Sequence, residues 1–214
     1  MFDIDSIKGV WPTGEPTVVM TACDREYYDQ FFERWREGFG KWSVHLHVHV
    51  IDVPAPELPA QGEGITVTHE STVDWDWTNM KRRYDHLSIP QWKKYRATYE
   101  WYCQSIRYYI VTRLLETCGS VIVTDVDAIA LRVPEEQQLM DLTKHTQFNI
   151  SKGRLYANFC NIHHGDLAKA RQLAHVIKTG CIAGDKSGND QAAMKKVFTN
   201  PVSMASFWTD QEDI

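Results

Sequence analysis

The stretch GSVIVTDVDAIALRVP (Gly119–Pro134) decides how the chain is read. Cys118-Gly119 turns the chain in. Val121-Ile122-Val123-Thr124 is an unbroken apolar, β-branched run of the kind that fills a buried strand. The run ends in two carboxylates one residue apart, Asp125 and Asp127. Residues i and i+2 of an extended chain point the same way, and in open α/β sheets ligands sit at the carboxyl ends of the strands. Two ionised carboxylates placed there repel one another and lose solvation. A divalent cation removes both penalties, and hard oxygen donors of this kind suit Mg²⁺ or Mn²⁺ together with phosphate oxygens. The plain alternative is a pair of solvated turn carboxylates, or one Asp pinning the turn through a backbone hydrogen bond. Spacing alone does not choose between them. Asp3/Asp5 and Asp74/Asp76 repeat the D-x-D string in a terminus and in an irregular segment containing Trp75 and Trp77.

Outward from that strand the pattern is β-α-β. TVVMTA (Thr17–Ala22) reads as the first strand. DREYYDQFFERWREGFG reads as a helix with Tyr27, Phe31, Phe32 and Trp35 at helical spacing, ended by Gly38 and Gly40. SVHLHVHVIDVP alternates strictly and reads as a second strand, APELPAQGEG as a Pro/Gly loop, ITVTHE as a short strand, and 71–91 as mostly loop. A long helix is predicted over Trp92–Thr117, with Tyr99, Cys103, Ile106, Ile110 and Leu114 on one stripe. After the double Asp, AIALRVP is strand-like. YANFCNIHH reads as a strand, Asp166–Lys178 as a helix, TGCIAGDKSG as a Gly-rich loop, and Asn189–Phe198 as a helix. This order predicts an α/β layer fold with an open, twisted, mainly parallel sheet flanked by helices. It is expected to form one domain over 1–214, with 1–16 as an N-terminal extension and 199–214 as a C-terminal tail.

Bulk properties narrow the classes. The chain has 214 residues, 43% of them hydrophobic, which supports a sizeable core and excludes a disordered chain. A net charge of -5 argues against a general nucleic-acid binder. The five cysteines (Cys23, Cys103, Cys118, Cys160, Cys181) are odd in number and form no C-x-x-C pair, so they read as reduced thiols in a cytoplasmic protein. No apolar run approaches the roughly 18–20 residues needed to span a bilayer, and the N-terminus lacks the apolar core of a signal peptide.

VIVTDVDAIALRVP resembles the D-x-D segment of nucleotide-diphospho-sugar glycosyltransferases with the GT-A fold. Three further stretches are similar to that family, in the same order. TVVMTACDREYYDQFF looks like the first strand and nucleotide-binding turn. QSIRYYIVTRLLETCG looks like the helix before D-x-D, and GDKSGNDQAAMKKVF is similar to an N-D-Q-type helix start. Together they cover roughly Thr17 to Phe198. The resemblance implies a GT-A fold and a metal-dependent transfer of a sugar from a nucleoside-diphosphate donor, with a weak lean toward retention of configuration. It implies Mn²⁺ or Mg²⁺ on Asp125 and Asp127, with Asp127 as the first ligand. It places Thr21, Ala22, Cys23, Asp24, Arg107, Asp125 and Val126 around the nucleotide, and Asn158, Asp190 and Gln191 around the sugars. The acceptor stays open: modified nucleic acid, protein, glycan or small molecule. Two other readings stand beside it: a non-catalytic nucleotide- or sugar-binding module of the same fold, and a nucleotidyltransferase, which TACDREYY disfavours because it has no Gly-rich phosphate loop.

Each site residue also has a bland reading. Arg107 can grip phosphate by two parallel bonds, or sit exposed on its helix. It belongs to a basic run with Lys81, Arg82, Arg83, Lys93, Lys94, Arg96 and Arg113, which suits an anion, a solvated face or a nucleic-acid groove. Asp24 can bind ribose or simply cap the helix it precedes. Asp190 can orient sugar hydroxyls or serve as a first-turn acid. Cys23 has no base beside it and is a poor nucleophile. His45, His47 and His49 share one side of a strand but spread over about 13 Å, too far for one ion, so a polar or half-exposed face is expected. His163 and His164 are expected to point apart. The tail offers Asp210 and Asp213 as further carboxylates, with nothing to place them in the site.

Overall fold

The computed structural model describes residues 4–59, 62, 64–75, 91–151, 154–183, 190–199 and 201–203. Among them, eight strands form one open mixed sheet: β1 (Lys8–Gly9), β2 (Thr17–Asp24), β3 (His45–Ile51), β4 (Ile65–Glu70), β5 (Ser120–Thr124), β6 (Gln147–Ser151), β7 (Arg154–His163) and β8 (Val202–Ser203). Their order is β1-β4-β3-β2-β5-β7-β6-β8. The centre, β4-β3-β2-β5, is parallel throughout, with Val18 opposite both His45 and Val121. β7 runs antiparallel between β5 and β6, β1 is antiparallel to β4, and β8 is parallel to β6. The parallel expectation therefore holds for the core and fails on the β7 side.

Among the described residues five α-helices cover the two faces: α1 (Arg25–Phe39), α2 (Gln91–Leu114), α3 (Glu136–Thr143), α4 (Leu167–Ala183) and α5 (Asp190–Val197). α1 forms because Asp24 caps it, its side chain accepting from the Tyr27 N–H at 3.0 Å. Phe32, Trp35 and Phe39 lie on one stripe, and all three are buried against Leu46, Val48, Val67 and Ile122. Burying each such ring stabilises the fold by about 1.5–3 kcal/mol. The indole N–H of Trp35 donates to Thr124 Oγ1 at 2.8 Å, which locks α1 to the end of β5. On the other face, Tyr102, Ile106, Ile110 and Leu114 of α2 pack on Met20, Val121 and Val123, with α4 and α5 alongside. Gly119 enters β5 so close to the chain before β2 that a Cβ there would lie 2.6 Å from the Pro16 carbonyl oxygen. Its N–H donates to Glu15 O at 2.9 Å.

Several expectations need correction. AIALRVP is not a strand. Ala128 and Ala130 pack inward while Ile129, Leu131 and Val133 are exposed, so the alternation is real, but β7 occupies the pairing edge of β5. TGCIAGDKSG is not all loop, because α4 continues through Ala183. Gly38 lies inside α1, and only Gly40 ends it. The histidine face is polar, as one of the two expected alternatives had it, but His47 and His49 are fully buried, so the half-exposed alternative fails. His163 and His164 face one another, ring centroids 5.0 Å apart, because His164 opens a 3-10 turn instead of continuing the strand. α3 and β6 come from a stretch with weak periodicity that the sequence pattern does not flag. Residues 76–90, with Asp76, Lys81, Arg82 and Arg83, and residues 204–214, with Asp210 and Asp213, lie outside the described residues, as does Asp3. No helix among the described residues is long and apolar enough to cross a membrane.

Candidate ligand cleft

From β2 the chain builds β3 and β4 on one side, then crosses back to lay β5 on the other. The carboxyl ends of β2 and β5 therefore flank a topological switch point, where open α/β sheets leave a crevice. A cleft of about 800 Å³ opens there. Of the residues expected around a ligand, Ala22, Cys23, Asp24, Arg107, Asp125, Val126, Asp127, Asn158, Asp190 and Gln191 all line it. Thr21 does not. It is fully buried on the α1 side of β2, its hydroxyl without a partner among the described residues.

Five elements converge on the cleft. The end of β2 brings Asp24, whose capping role and cleft position coexist. The end of β5 brings the double Asp, with Asp125 N–H bonded to Asn158 O at 3.1 Å and Ala128 N–H closing the turn onto Asp125 O at 3.1 Å. β7 runs antiparallel beside β5, and so carries Asn158 to the same end. α5 starts at Asp190, and α2 reaches in with Arg107.

Arg107 is buried, not exposed on its helix, and it does not project free toward a phosphate. Its Nη1 donates to Asp125 Oδ1, and its Nη2 donates to Asp190 Oδ2 at 3.2 Å. Burial alone would pull its pKa down; neighbouring Tyr108, Asp125 and Asp190 hold it above the ordinary value. The guanidinium thus ties β5 to the start of α5 and takes one oxygen of the carboxylate expected to hold a metal. Asp125 keeps Oδ2. Asp127 is exposed in the cleft, and among the described residues no donor or cation meets it. Asp190 also accepts from the Gln191 N–H at 2.7 Å.

Six carboxylates line the cleft (Asp24, Glu26, Glu100, Asp125, Asp127, Asp190) against the single guanidinium of Arg107 among the described lining residues. Such a wall attracts cations and repels a bare phosphate. Among the described residues no three His, Cys, Asp or Glu side chains form a ready-made metal cluster. The donor set nonetheless fits a hard divalent ion, which commonly takes one or two protein carboxylates and completes its shell with water and phosphate oxygens.

Tyr99, Glu100, Cys103, Gln104, Glu26, Tyr27 and Tyr156 also line the cleft and escape motif reading. Helical arithmetic finds some of them: Tyr99, Cys103 and Arg107 fall at i, i+4 and i+8 on α2. Tyr156 precedes Asn158 by two on a strand. Burial, with Asp24 beside it, pushes the Cys23 thiol far up, and burial does the same for Cys103, so both keep their protons and neither is a nucleophile.

The chain is an α/β protein with an acidic cleft at the switch point of a mixed sheet. No protein-family model matches the chain, and no curated protein matches it.

Proposed function

We propose that the chain is a GT-A-type glycosyltransferase that moves a sugar from a nucleoside diphosphate to an acceptor, dependent on Mn²⁺ or Mg²⁺. One observation carries the reading: the double Asp closing β5, the Asp24 turn closing β2, and Asp190 and Gln191 of the N-D-Q-type helix start share one acidic cleft at the switch point. Asp127, with Asp125 Oδ2, would hold the cation. Bound there, the cation would neutralise charge on the leaving diphosphate.

The protein's own groups supply position. Arg107 fixes Asp125 against Asp190, so the cation-binding turn and the start of α5 move as one body. The backbone and side chain at Asp24, with exposed Tyr27 beside it, offer hydrogen bonds and a ring face to a nucleoside. Asn158 and Gln191 are polar, exposed in the cleft and suited to sugar hydroxyls. A second reading, a binding module without turnover, draws on Arg107. Its two terminal nitrogens are engaged by Asp125 and Asp190 rather than turned to a ligand.

Thermal shift with nucleoside diphosphates, with and without Mn²⁺, tests the site. At a hundredfold excess over Kd the expected stabilisation is about 2.7 kcal/mol, roughly 5–10 °C for a chain of this size. It should require Mn²⁺ and vanish in Asp127→Ala. Equal shifts in wild type and variant remove Asp127 from the site. Slow hydrolysis of a nucleotide sugar supports the transferase, whereas Mn²⁺-dependent binding without hydrolysis or transfer favours the module.

A further inference from the structure

On the α2 side of the sheet, β3 and β4 share a continuous polar ladder. His45 Nε2 meets Thr66 Oγ1 at 3.0 Å, and the same hydroxyl meets His47 Nδ1 at 2.9 Å. His47 Nε2 meets Thr68 Oγ1 at 3.1 Å, which meets His49 Nδ1 at 3.1 Å. His49 Nε2 then meets Glu70 Oε1 at 3.1 Å, and Tyr102 O–H donates to that oxygen at 2.5 Å. At the other end His45 Nδ1 faces Glu15 Oε1 at 3.4 Å, on a side chain 38% exposed. His47, His49 and Thr68 have no solvent exposure, and Trp11 stacks on the His47 ring, centroids 5.5 Å apart.

The donor and acceptor inventory makes this ladder directional. A threonine hydroxyl has one proton, and a neutral imidazole has one N–H and one lone pair. Each bond therefore sets the sense of the next. With Glu70 ionised, His49 must donate from Nε2, Thr68 donates to His49 Nδ1, His47 donates from Nε2, Thr66 donates to His47 Nδ1, and His45 donates from Nε2. That arrangement turns the His45 Nδ1 lone pair toward the Glu15 carboxylate. The opposite sense, every imidazole carrying Nδ1–H, satisfies Glu15 and requires a proton on Glu70.

We propose that this ladder is a proton relay between Glu15 at the surface and Glu70 beneath the α2 wall of the cleft. A proton arriving at His45 Nδ1 releases the His45 Nε2 proton to Thr66 Oγ1. Thr66 passes its own proton to His47 Nδ1, His47 Nε2 gives one to Thr68, Thr68 gives one to His49 Nδ1, and His49 Nε2 delivers one to Glu70 Oε1. One proton enters, one reaches Glu70, and all three imidazoles end neutral with Nδ1–H. This state has no charge in the interior, whereas the state before transfer holds a buried Glu70 carboxylate that no lysine or arginine pairs with among the described residues. Burial lowers the pKa of His45 and, further, of His47, in keeping with imidazoles that stay neutral while passing the proton on.

Among the described residues the other titratable groups around the ladder are Lys8 on β1, His69 on β4, Asp52 after β3, and Tyr99, Tyr102 and Cys103 on α2. His69 feels both His49 and Lys8. The cleft-lining Cys103 feels Asp24, Asp52 and Glu70, and Tyr99 O–H donates to Asp52 Oδ2 at 3.3 Å. The relay therefore changes the charge behind the cleft wall where Tyr99 and Cys103 stand.

Long-range ¹⁵N–¹H correlation spectra of the imidazoles, from about pH 8 to about pH 5, test the relay on the unmodified chain. The expected result is one tautomer for all three rings at the alkaline end, Nε2–H. All three then convert to Nδ1–H with a common midpoint. Rings in mixed tautomers, or His47 and His49 unchanged while His45 titrates, overturn it. Thr66→Val keeps shape and removes one hydroxyl. In that variant His45 should titrate alone, with His47 and His49 left as Nε2–H. Continued joint conversion in the variant also overturns the relay. If the variant folds poorly, the titration of the unmodified chain decides.

Discussion

Replacing Arg107 with Met tests whether the guanidinium holds the two sides of the cleft together. The side chain is 8% exposed, and its partners Asp125 and Asp190 are 37% and 13% exposed. Removing one partner of a buried pair costs about 3–5 kcal/mol, because a charge is left behind unpaired. Two features reduce that figure. Asp125 opens to the cleft and rehydrates when Arg107 is gone, so its share is small. Arg107 Nε is buried without a partner among the described residues, and deleting it recovers about 1 kcal/mol. Asp190 bears most of the loss, softened by the amide ends of α5. The expected cost is about 2–3 kcal/mol, read from urea unfolding followed by tryptophan fluorescence. In the cycle with Asp190→Asn, the double variant should lose about 1–2 kcal/mol less than the two singles combined. A cost under about 1 kcal/mol, or strict additivity, would refute the bridge and with it the positioning role given to Arg107.

Other perturbations report on other parts of the fold. His45 and His47 are held neutral by burial, so below about pH 6.5 the unfolded chain binds protons at both that the native chain refuses. The relay returns one proton to the native state. Stability should therefore rise with pH between about 5 and 6.5 by about 1 kcal/mol per unit, and urea midpoints that stay flat across this window contradict it. Gly119→Ala drives a methyl into the Pro16 carbonyl and should cost about 1–3 kcal/mol, seen as a lower urea midpoint at unchanged slope; a neutral variant would mean the β5 entrance has slack. Burial raises the thiol pKa of Cys23, Cys118 and Cys160, the last to about 12. Iodoacetamide should label these three only after unfolding, and mass spectrometry of the native chain after a short exposure checks it.

Much of the fold was legible because its core strands are apolar and β-branched. Val121–Thr124 and Ile65–Glu70 declare themselves by composition, and Asp24 by its place before an amphipathic helix. The cleft was legible as well, since carboxylates at strand ends are visible as letters. What stayed hidden depends on contacts distant in sequence. Nothing local shows that Arg107 points back at Asp125 and Asp190 rather than outward, because that depends on α5 docking beside β7. The histidine strand declares its polarity but not its burial. Alternating His on one face suggests solvent, and only the matching Thr-x-Thr-x-Glu of β4 turns that face into an interior. Read as a pair, HLHVH and TVTHE have complementary polar teeth, a signal available before any fold is known. α3 and β6 were missed because Glu136–Ser151 mixes polar and apolar residues without a clean period.

The pairing of β2 with β5 joins residues 103 positions apart, as in the Thr17–Ser120 contact. In a chain emerging from the ribosome, β2 and β3 can associate early, yet the middle of the sheet stays open until α2 and β5 have been made. β6 and β7 form a local hairpin that joins the sheet through β5. Acquisition of the native state should thus be governed by a late, entropically costly zipping of β5 onto β2. The two carboxylates that close β5 would join Asp24 around the cleft only at that last step, so a partly folded chain lacks the assembled cleft.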